Sequence, residues 1–238
     1  MGNQKAHETA LVIPTLNEAP SIANVIDRIP RAELAKDGHA TTVYVIDGGS
    51  TDGTRQIAVK KGARVLLEER KGKGIALRTA FHVVNADYVI IVDGDNTYPL
   101  ETVTEIARLL QTNDVVIGSR LKGSIEQGAM TRLNVLGNTL LTLLARFLFQ
   151  ANVSDVCTGL WGYRGEALQR LELVARGFEI EADMFAECAR KGLRIAEIPI
   201  SYNARVDQAK LASIRDGLKI GAFLIRKWYS SRTWGPGL

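Results

Sequence analysis

Short runs of β-branched and aliphatic residues recur through the first half of the chain, at about 10–15 (ALVIPT), 41–47 (TTVYVID), 63–69 (ARVLLEE), 87–95 (DYVIIVDGD) and 114–120 (DVVIGSR). Each is short and bounded by Gly, Asp or Asn, which reads as a strand. Between them, apolar residues recur with helical spacing at about 19–29, 52–62, 74–85 and 99–111. Thr51 and Asp52 supply helix-capping chemistry after the second strand, and Pro99 stands where the first turn of a helix tolerates proline. Strands alternating with helices predict βα units and a parallel sheet.

After Arg120 the rhythm changes. A polar, glycine-containing loop (LKGSIEQGAM) precedes a strongly apolar helix at about 132–150. A short strand follows at 159–164, then a helix at about 178–191, a strand at 194–202 and a second apolar helix at roughly 213–229. No internal repeat or low-complexity linker divides the chain. The pattern predicts one α/β domain over 1–238, with regular βα units to about 120 and a modified half from about 121.

Composition narrows the class. With 46% hydrophobic and 24% charged residues the chain is globular rather than disordered or fibrous. The net charge of +4 is spread without a basic arm, so no nucleic-acid partner is expected. Cys157 and Cys188 stand far apart, which predicts neither a disulfide framework nor a zinc site, and a reducing compartment is the default. His7, His39 and His82 share no ligand spacing, and the N-terminal segment lacks the apolar run of a signal peptide.

Candidate chemistry gathers at the strand ends. Asp93-Gly94-Asp95 follows an apolar run that reads as a buried strand. In parallel sheets, ligands bind beyond the carboxyl ends of strands. Two carboxylates flanking a glycine can reach one hard cation, and Mg²⁺ uses one or two carboxylates plus phosphate oxygens. A solvated acidic turn is the competing reading. The second strand ends in Asp47-Gly48-Gly49-Ser50, where glycines let the backbone approach a nucleotide and Asp47 can accept base or ribose hydrogen bonds. A well-capped βα turn would look the same. The first strand ends in Pro14-Thr15-Leu16-Asn17-Glu18, at the same sheet edge.

Together these segments resemble the inverting family 2 glycosyltransferases with the GT-A fold, a Rossmann-like, mostly parallel sheet flanked by helices. The resemblance rests on Ile13 to Glu18, Asp47 to Thr54, Lys71-Gly72-Lys73-Gly74 and Asp93-Gly94-Asp95 in the first half. It continues through Gly118-Ser119-Arg120, Asp155 to Gly159, Phe178 to Glu181, Glu197 to Ile200, Arg205 and Lys210-Leu211. Gly128 to Asn134 and Arg215-Asp216-Gly217 are similar to the archaeal dolichyl-phosphate sugar synthases that serve protein N-glycosylation. Two departures stand out: Gly48 replaces a second Asp found in many relatives, and Ala209 replaces a Ser.

The resemblance implies a nucleotide-sugar donor, a UDP-sugar in preference to GDP-mannose, bound by Pro14, Leu16, Asn17, Glu18, Asp47, Lys73, Asp93, Gly94 and Asp95. It implies Mg²⁺ or Mn²⁺ on Asp93 and Asp95, and a dolichyl or polyprenyl phosphate acceptor. Arg120, Arg132, Arg205 and Lys210 would form the acceptor-phosphate pocket, since guanidinium forks suit phosphate oxygens. Asp95, Asp155 and Glu181 are the catalytic candidates; a strand-end turn and a dipole-favoured helix start are the plain readings of the latter two. A phosphate monoester, with a second pKa of about 6, is already a dianionic nucleophile, so no strong general base is required.

The two apolar helices complete the picture. Leu133 to Gln150 is interrupted by Asn134, Asn138 and Arg146, which disfavours spanning, while Leu218 to Tyr229 mixes aliphatics with cations and interfacial aromatics. Both fit C-terminal interfacial helices lying on the cytoplasmic face of a membrane, or alternatively a core or dimer contact. Competing functions are a family 2 enzyme with a soluble or polysaccharide acceptor, a sugar nucleotidyltransferase, and a non-catalytic nucleotide-sugar-binding module. The nucleotidyltransferase reading lacks its Gly-rich turn after the first strand.

Overall fold

The computed structural model describes residues 6–205 and 213–233. Its elements run β1 (His7–Thr15), α1 (Ile22–Asp27), α2 (Arg31–Lys36), β2 (His39–Asp47), α3 (Thr54–Lys60), β3 (Arg64–Leu67), α4 (Lys73–Val83) and β4 (Tyr88–Ile91). Then follow a 3₁₀ turn (Leu100–Thr102), α5 (Val103–Leu109), β5 (Val115–Ile125), α6 (Arg132–Phe149), β6 (Trp161–Arg164), α7 (Gly165–Gln169), α8 (Ile180–Arg190), β7 (Ile195–Tyr202) and α9 (Ser213–Thr233).

The strands form one sheet in the order β3-β2-β1-β4-β6-β5-β7. β6 is antiparallel to β4 and β5, and every other neighbouring pair is parallel. The α/β, mostly parallel sheet expected from the sequence is therefore present. The short, near-continuous apolar strands explain why: both faces of the sheet are covered, so successive residues serve opposite cores. Ala10, Val12, Val89 and Ile91 enter one cluster, while Leu11, Ile13, Ile90 and Val92 enter the other.

The structure departs from the sequence pattern where turns compete. The helix expected over 19–29 is confined to α1, because Ser21 turns back on Glu18 and Pro30 separates α1 from the unforeseen α2. The strand expected over 87–95 leaves the ladder after Ile91, which frees Asp93 to Asp95 to form a turn. β5 continues past Arg120 to Ile125 because a register shift between Ser119 and Ser124 carries its pairing onto Ser201 and Tyr202. Gly123 makes this possible, since a Cβ there would lie 1.9 Å from the Ile200 carbonyl oxygen. The effect of this layout is to deliver the ends of β1, β2 and β4, which are adjacent and parallel, to one edge.

Candidate active site

The turn after β1 is stitched to the turn after β2. Asn17 adopts a positive φ of 53°, its amide donates to Ser50 Oγ at 2.8 Å, and its Oδ1 accepts from the Thr51 amide at 2.9 Å. The Glu18 amide donates to Thr54 Oγ1 at 2.9 Å. Between these turns sits Asp47, fully buried, with Oδ2 accepting from the Gly49 and Ser50 amides at 3.2 and 3.0 Å and 3.4 Å from Arg55 Nε. Its Oδ1 is buried and has no hydrogen-bond partner among the described residues. A buried carboxylate oxygen left unpaired is costly, so this atom is a ready acceptor for a ligand donor. Pro14 is half-buried and Leu16 exposed at the end of β1, at the same sheet edge.

Asp93 and Asp95 occupy the turn after β4. Asp95 is buried, and its Oδ1 accepts from the Thr97 amide at 3.2 Å and Thr97 Oγ1 at 2.6 Å. Its Oδ2 lies 3.3 Å from Arg205 Nη1, while Arg205 Nη2 donates to Glu18 Oε1 at 3.0 Å. Gly94 is pressed against β1, where a Cβ would meet Thr15 Cγ2 at 3.0 Å, and its carbonyl accepts from Ser21 Oγ at 2.6 Å. Gly159 backs Asp93 so closely that a Cβ there would stand 2.2 Å from Asp93 Oδ2.

Lys73 begins α4 and reaches both Asp93 Oδ1 and Glu181 Oε1 at 2.6 Å. Burial works against the lysine's charge, but the two carboxylates outweigh it and hold the ammonium pKa above its ordinary value. Burial, aided by the Asp93 charge, raises Glu181 despite Lys73. The donor set is two hard carboxylates in an i, i+2 turn, each already facing a cationic group, and it fits a hard divalent cation completed by phosphate oxygens. Among the described residues no three His, Cys, Asp or Glu side chains converge as a closed cage.

The acceptor-side candidates separate into distinct groups. Arg120 Nε and Nη2 fork onto Asp155 Oδ2 and Oδ1 at 2.7 and 2.9 Å, and the Arg120 amide donates to the same carboxylate at 3.1 Å. Both residues are buried, and Tyr202 stacks under the guanidinium at 5.2 Å. The Nε/Nη2 edge of the guanidinium is therefore engaged by Asp155. Arg132 is exposed at the start of α6, and Lys210 lies outside the described residues. The structure thus joins Asp47, Lys73, Asp93, Asp95, Glu181, Arg205 and Glu18 at one edge, and pairs Arg120 with Asp155. Sequence reasoning missed Thr97 and the backing role of Gly159. Thr97, two residues after Asp95, was readable as a local side-chain turn, whereas the approach of Gly159 to Asp93 had no local signal.

Residues 10–172 match the family described as "Glycosyl transferase family 2". The chain belongs to glycosyltransferase family 2. This glycosyltransferase is 36% identical over 230 residues to "Glycosyltransferase AglJ" of Haloferax volcanii, covering 95% of this chain and 73% of that protein. It is also 36% identical over 220 residues to the "Dolichyl-phosphate hexose transferase" of the same organism, covering 92% and 93% of the two chains. Among solved structures it resembles glucosyl-3-phosphoglycerate synthase from Mycobacterium tuberculosis in complex with Mn²⁺, UDP and glucosyl-3-phosphoglycerate, at 26% identity and a TM-score of 0.71. That match covers 94% of this chain and 80% of the other. The GT-A architecture expected from the sequence is thus present.

In this glycosyltransferase α6 packs against α9, and both leave apolar faces open to solvent. On α6 the exposed residues are Leu133, Leu136, Leu140, Leu143 and Phe147; on α9 they are Ile214, Leu218, Ile225 and Tyr229. Both sets follow helical spacing, so each is a continuous stripe. Exposed cations flank them, Arg132 and Arg146 on α6 and Arg215, Lys219 and Arg226 on α9. Among the described residues no helix is long and apolar enough to cross a membrane.

Proposed function

We propose that this enzyme transfers a hexose or N-acetylhexosamine from a nucleotide-diphosphate sugar to dolichyl or polyprenyl phosphate, with inversion at the anomeric carbon. It acts as one catalytic unit, peripherally bound to the cytoplasmic face of a membrane, in a pathway of protein N-glycosylation. The observation that carries the reading is the one sheet edge shared by the unpartnered Oδ1 of Asp47, the Asp93/Asp95 pair and Lys73. The end-to-end likeness to a dolichyl-phosphate hexose transferase supports the acceptor class. The exposed stripes of α6 and α9 support work at a lipid surface.

Asp47 would accept from the base or ribose, with Leu16 and Pro14 beside it and the Asn17 turn holding the turn after β2 in place. Asp93 and Asp95 would hold Mg²⁺ or Mn²⁺, which neutralises charge on the departing nucleoside diphosphate. Thr97 fixes the rotamer of Asp95, and Gly159 fixes that of Asp93. Lys73, held protonated, adds positive charge on the diphosphate side, and Glu181 anchors that lysine and can accept from a sugar hydroxyl. Arg205 reaches from Glu18 to Asp95 and is the described cation best placed for the acceptor phosphate. A phosphate oxygen attacks the anomeric carbon as the bond to the diphosphate breaks on the opposite face. Asp155 supports this wall of the site through Arg120 rather than by touching the reacting atoms. UDP-glucose and UDP-N-acetylglucosamine are the preferred donors, with GDP-mannose the third.

The test incubates the purified chain with Mg²⁺ or Mn²⁺, dolichyl phosphate and each of these three donors, followed by mass spectrometry of the lipids. A metal-dependent, monophosphate-linked glycolipid from one donor, absent with Asp95→Ala, is the expected result. The likeness to a synthase bound to a glucosylated phosphoglycerate favours a second reading, a soluble phosphorylated acceptor. Donor binding without any lipid product would shift the assignment to it.

A further inference from the structure

A second group of buried charges lies behind the donor site. Lys227, on the inner face of α9, is buried, with Nζ 2.6 Å from Asp183 Oδ1 and 3.0 Å from Glu187 Oε1, and it donates to the Glu172 carbonyl at 3.1 Å. Asp183 and Glu187 are themselves buried on α8. Such a cluster is weak evidence for stability, because desolvation offsets most of its attraction. Its connections point elsewhere.

Asp183 Oδ2 accepts from the amides of Val174 and Ala175 at 2.6 and 2.8 Å, and Glu187 Oε2 from the Glu172 amide at 3.1 Å. The segment 172–177 is thereby strapped to α8 through both carboxylates and to α9 through Lys227 on the Glu172 carbonyl. The other side of this strap lies on the Gly72-Lys73-Gly74 turn. The Ile75 amide donates to the Arg176 carbonyl and the Gly74 amide to the Gly177 carbonyl, both at 3.2 Å. A Cβ on Gly72 would lie 2.1 Å from the Arg176 oxygen, and one on Gly74 2.6 Å from the Ala175 oxygen. Only glycines admit the strap so closely, and Lys73 sits between them with its ammonium on Asp93 and Glu181.

We propose that Lys227 is a positioning residue for the transfer reaction: it tethers α9 to the 172–177 strap, and the strap sets the place of Lys73 beside Asp93. The proposal rests on the donor-site reading above. One helix thus carries an exposed apolar stripe on its outer face and, on its inner face, the tether to the donor lysine.

Nucleotide binding to the full chain is measured by titration calorimetry with UDP and Mn²⁺ for wild type, Lys227→Met, Lys73→Met and the double variant. Kinetics with the donor found active are run alongside. Lys227→Met is expected to weaken UDP about tenfold, the scale on which outer supporting groups act, and to raise the donor KM with it. Adding Lys227→Met to Lys73→Met is expected to weaken binding no further, because the tether acts through that lysine. Lys227→Arg, which keeps the charge, recovers most of the affinity. Should Lys227→Met not fold, Lys227→Met/Asp183→Asn removes both charges while the substituted carboxamide retains an oxygen for the strap amides, and the affinity loss persists.

A Lys227→Met enzyme that melts lower yet binds UDP and turns over as wild type does overturns the proposal, as do effects of the two lysine variants that multiply independently. Wild-type protein that binds no nucleotide refutes the donor-site reading instead.

Discussion

Gly159 and Asp93 are in contact across the sheet edge: the backbone of one lies where a methyl group would stand 2.2 Å from the carboxylate of the other. The Gly159 amide also donates to Tyr98 Oη at 2.6 Å, and Tyr98 is buried against Tyr202, so the glycine cannot easily retreat. Asp93 is the more mobile partner, with a side chain 22% exposed. Gly159→Ala should therefore push Asp93 out of place, lowering transfer at least ~10²-fold, the penalty of a 1 Å misplacement. Thermal stability should fall far less. Parallel melting and turnover measurements check the pair of outcomes, and a fully active Gly159→Ala enzyme contradicts the geometry.

Asp95 is oriented by Thr97 and faces Arg205. Asp95→Asn keeps an acceptor for Thr97 but replaces the other oxygen with an amide, which binds no hard cation and points hydrogens at Arg205. Transfer should drop at least ~10²-fold, as for loss of one preorganised electrostatic partner, with the fold retained. Direct Mn²⁺ titration should show weakened metal binding. Thr97→Val should give a smaller loss, since Asp95 Oδ1 then keeps only the Thr97 backbone donor while Oδ2 still faces Arg205.

Arg120 and Asp155 lie far apart in sequence, and no local pattern could pair them. Breaking a buried pair by removing one partner costs about 3–5 kcal/mol. Asp155→Ala should therefore lose about that much in urea unfolding, with activity falling as a consequence of lost structure around Tyr202. A variant of normal stability and no activity would assign Asp155 to the chemistry itself.

Much of the donor edge was legible because each part is local. Asp47, Asp93 and Asp95 each end an apolar run, and in a parallel sheet such ends must converge. Lys73 and Glu181 were each visible as site residues through family resemblance, but their contact was not, since it joins the start of α4 to the start of α8. Three features stayed hidden for the same physical reason, that they depend on distant backbone approach. These are Gly159 behind Asp93, the strap of 172–177 on Gly72 and Gly74, and the extension of β5 along β7. The end of the first helix before Pro30 was readable, because proline disfavours a helical residue before it, and the expected helix stopped at 29. The helix beyond it, α2, buries only Leu34 and so carries little apolar periodicity.

Glu68 offers a pH test at the rim of the same edge. Its amide donates to the Asp47 carbonyl, and its carboxylate takes hydrogen bonds from Arg70 and from Thr79, which lower its pKa from 4.5 to about 2. The folded-state pKa is depressed, so the stabilisation is full above pH 4.5 and is lost as pH falls toward 2. The difference in unfolding free energy between wild type and Glu68→Gln should therefore shrink over that window. Arg70 is largely exposed, so added salt should reduce the difference at neutral pH. A difference independent of pH would show that Glu68 acts by packing alone.

Leu140 stands at the centre of the α6 stripe and Phe147 at its C-terminal end, 57% and 73% exposed. Side chains so placed contribute nothing to the core, so replacing both with Asp should leave the melting temperature nearly unchanged. If the stripe enters a lipid interface, each forfeits about 1.5–3 kcal/mol of apolar burial, and vesicle binding should weaken by at least about tenfold. The flanking Arg215, Lys219 and Arg226 add attraction for anionic headgroups, so wild-type binding should be stronger to vesicles containing anionic phospholipid and should weaken as salt rises. Sedimentation with neutral and anionic vesicles at two salt concentrations separates the two contributions. Unchanged vesicle binding by Leu140→Asp/Phe147→Asp, or a shift of the wild type from dimer to monomer on making those changes, would reassign the stripe to contact between protein copies.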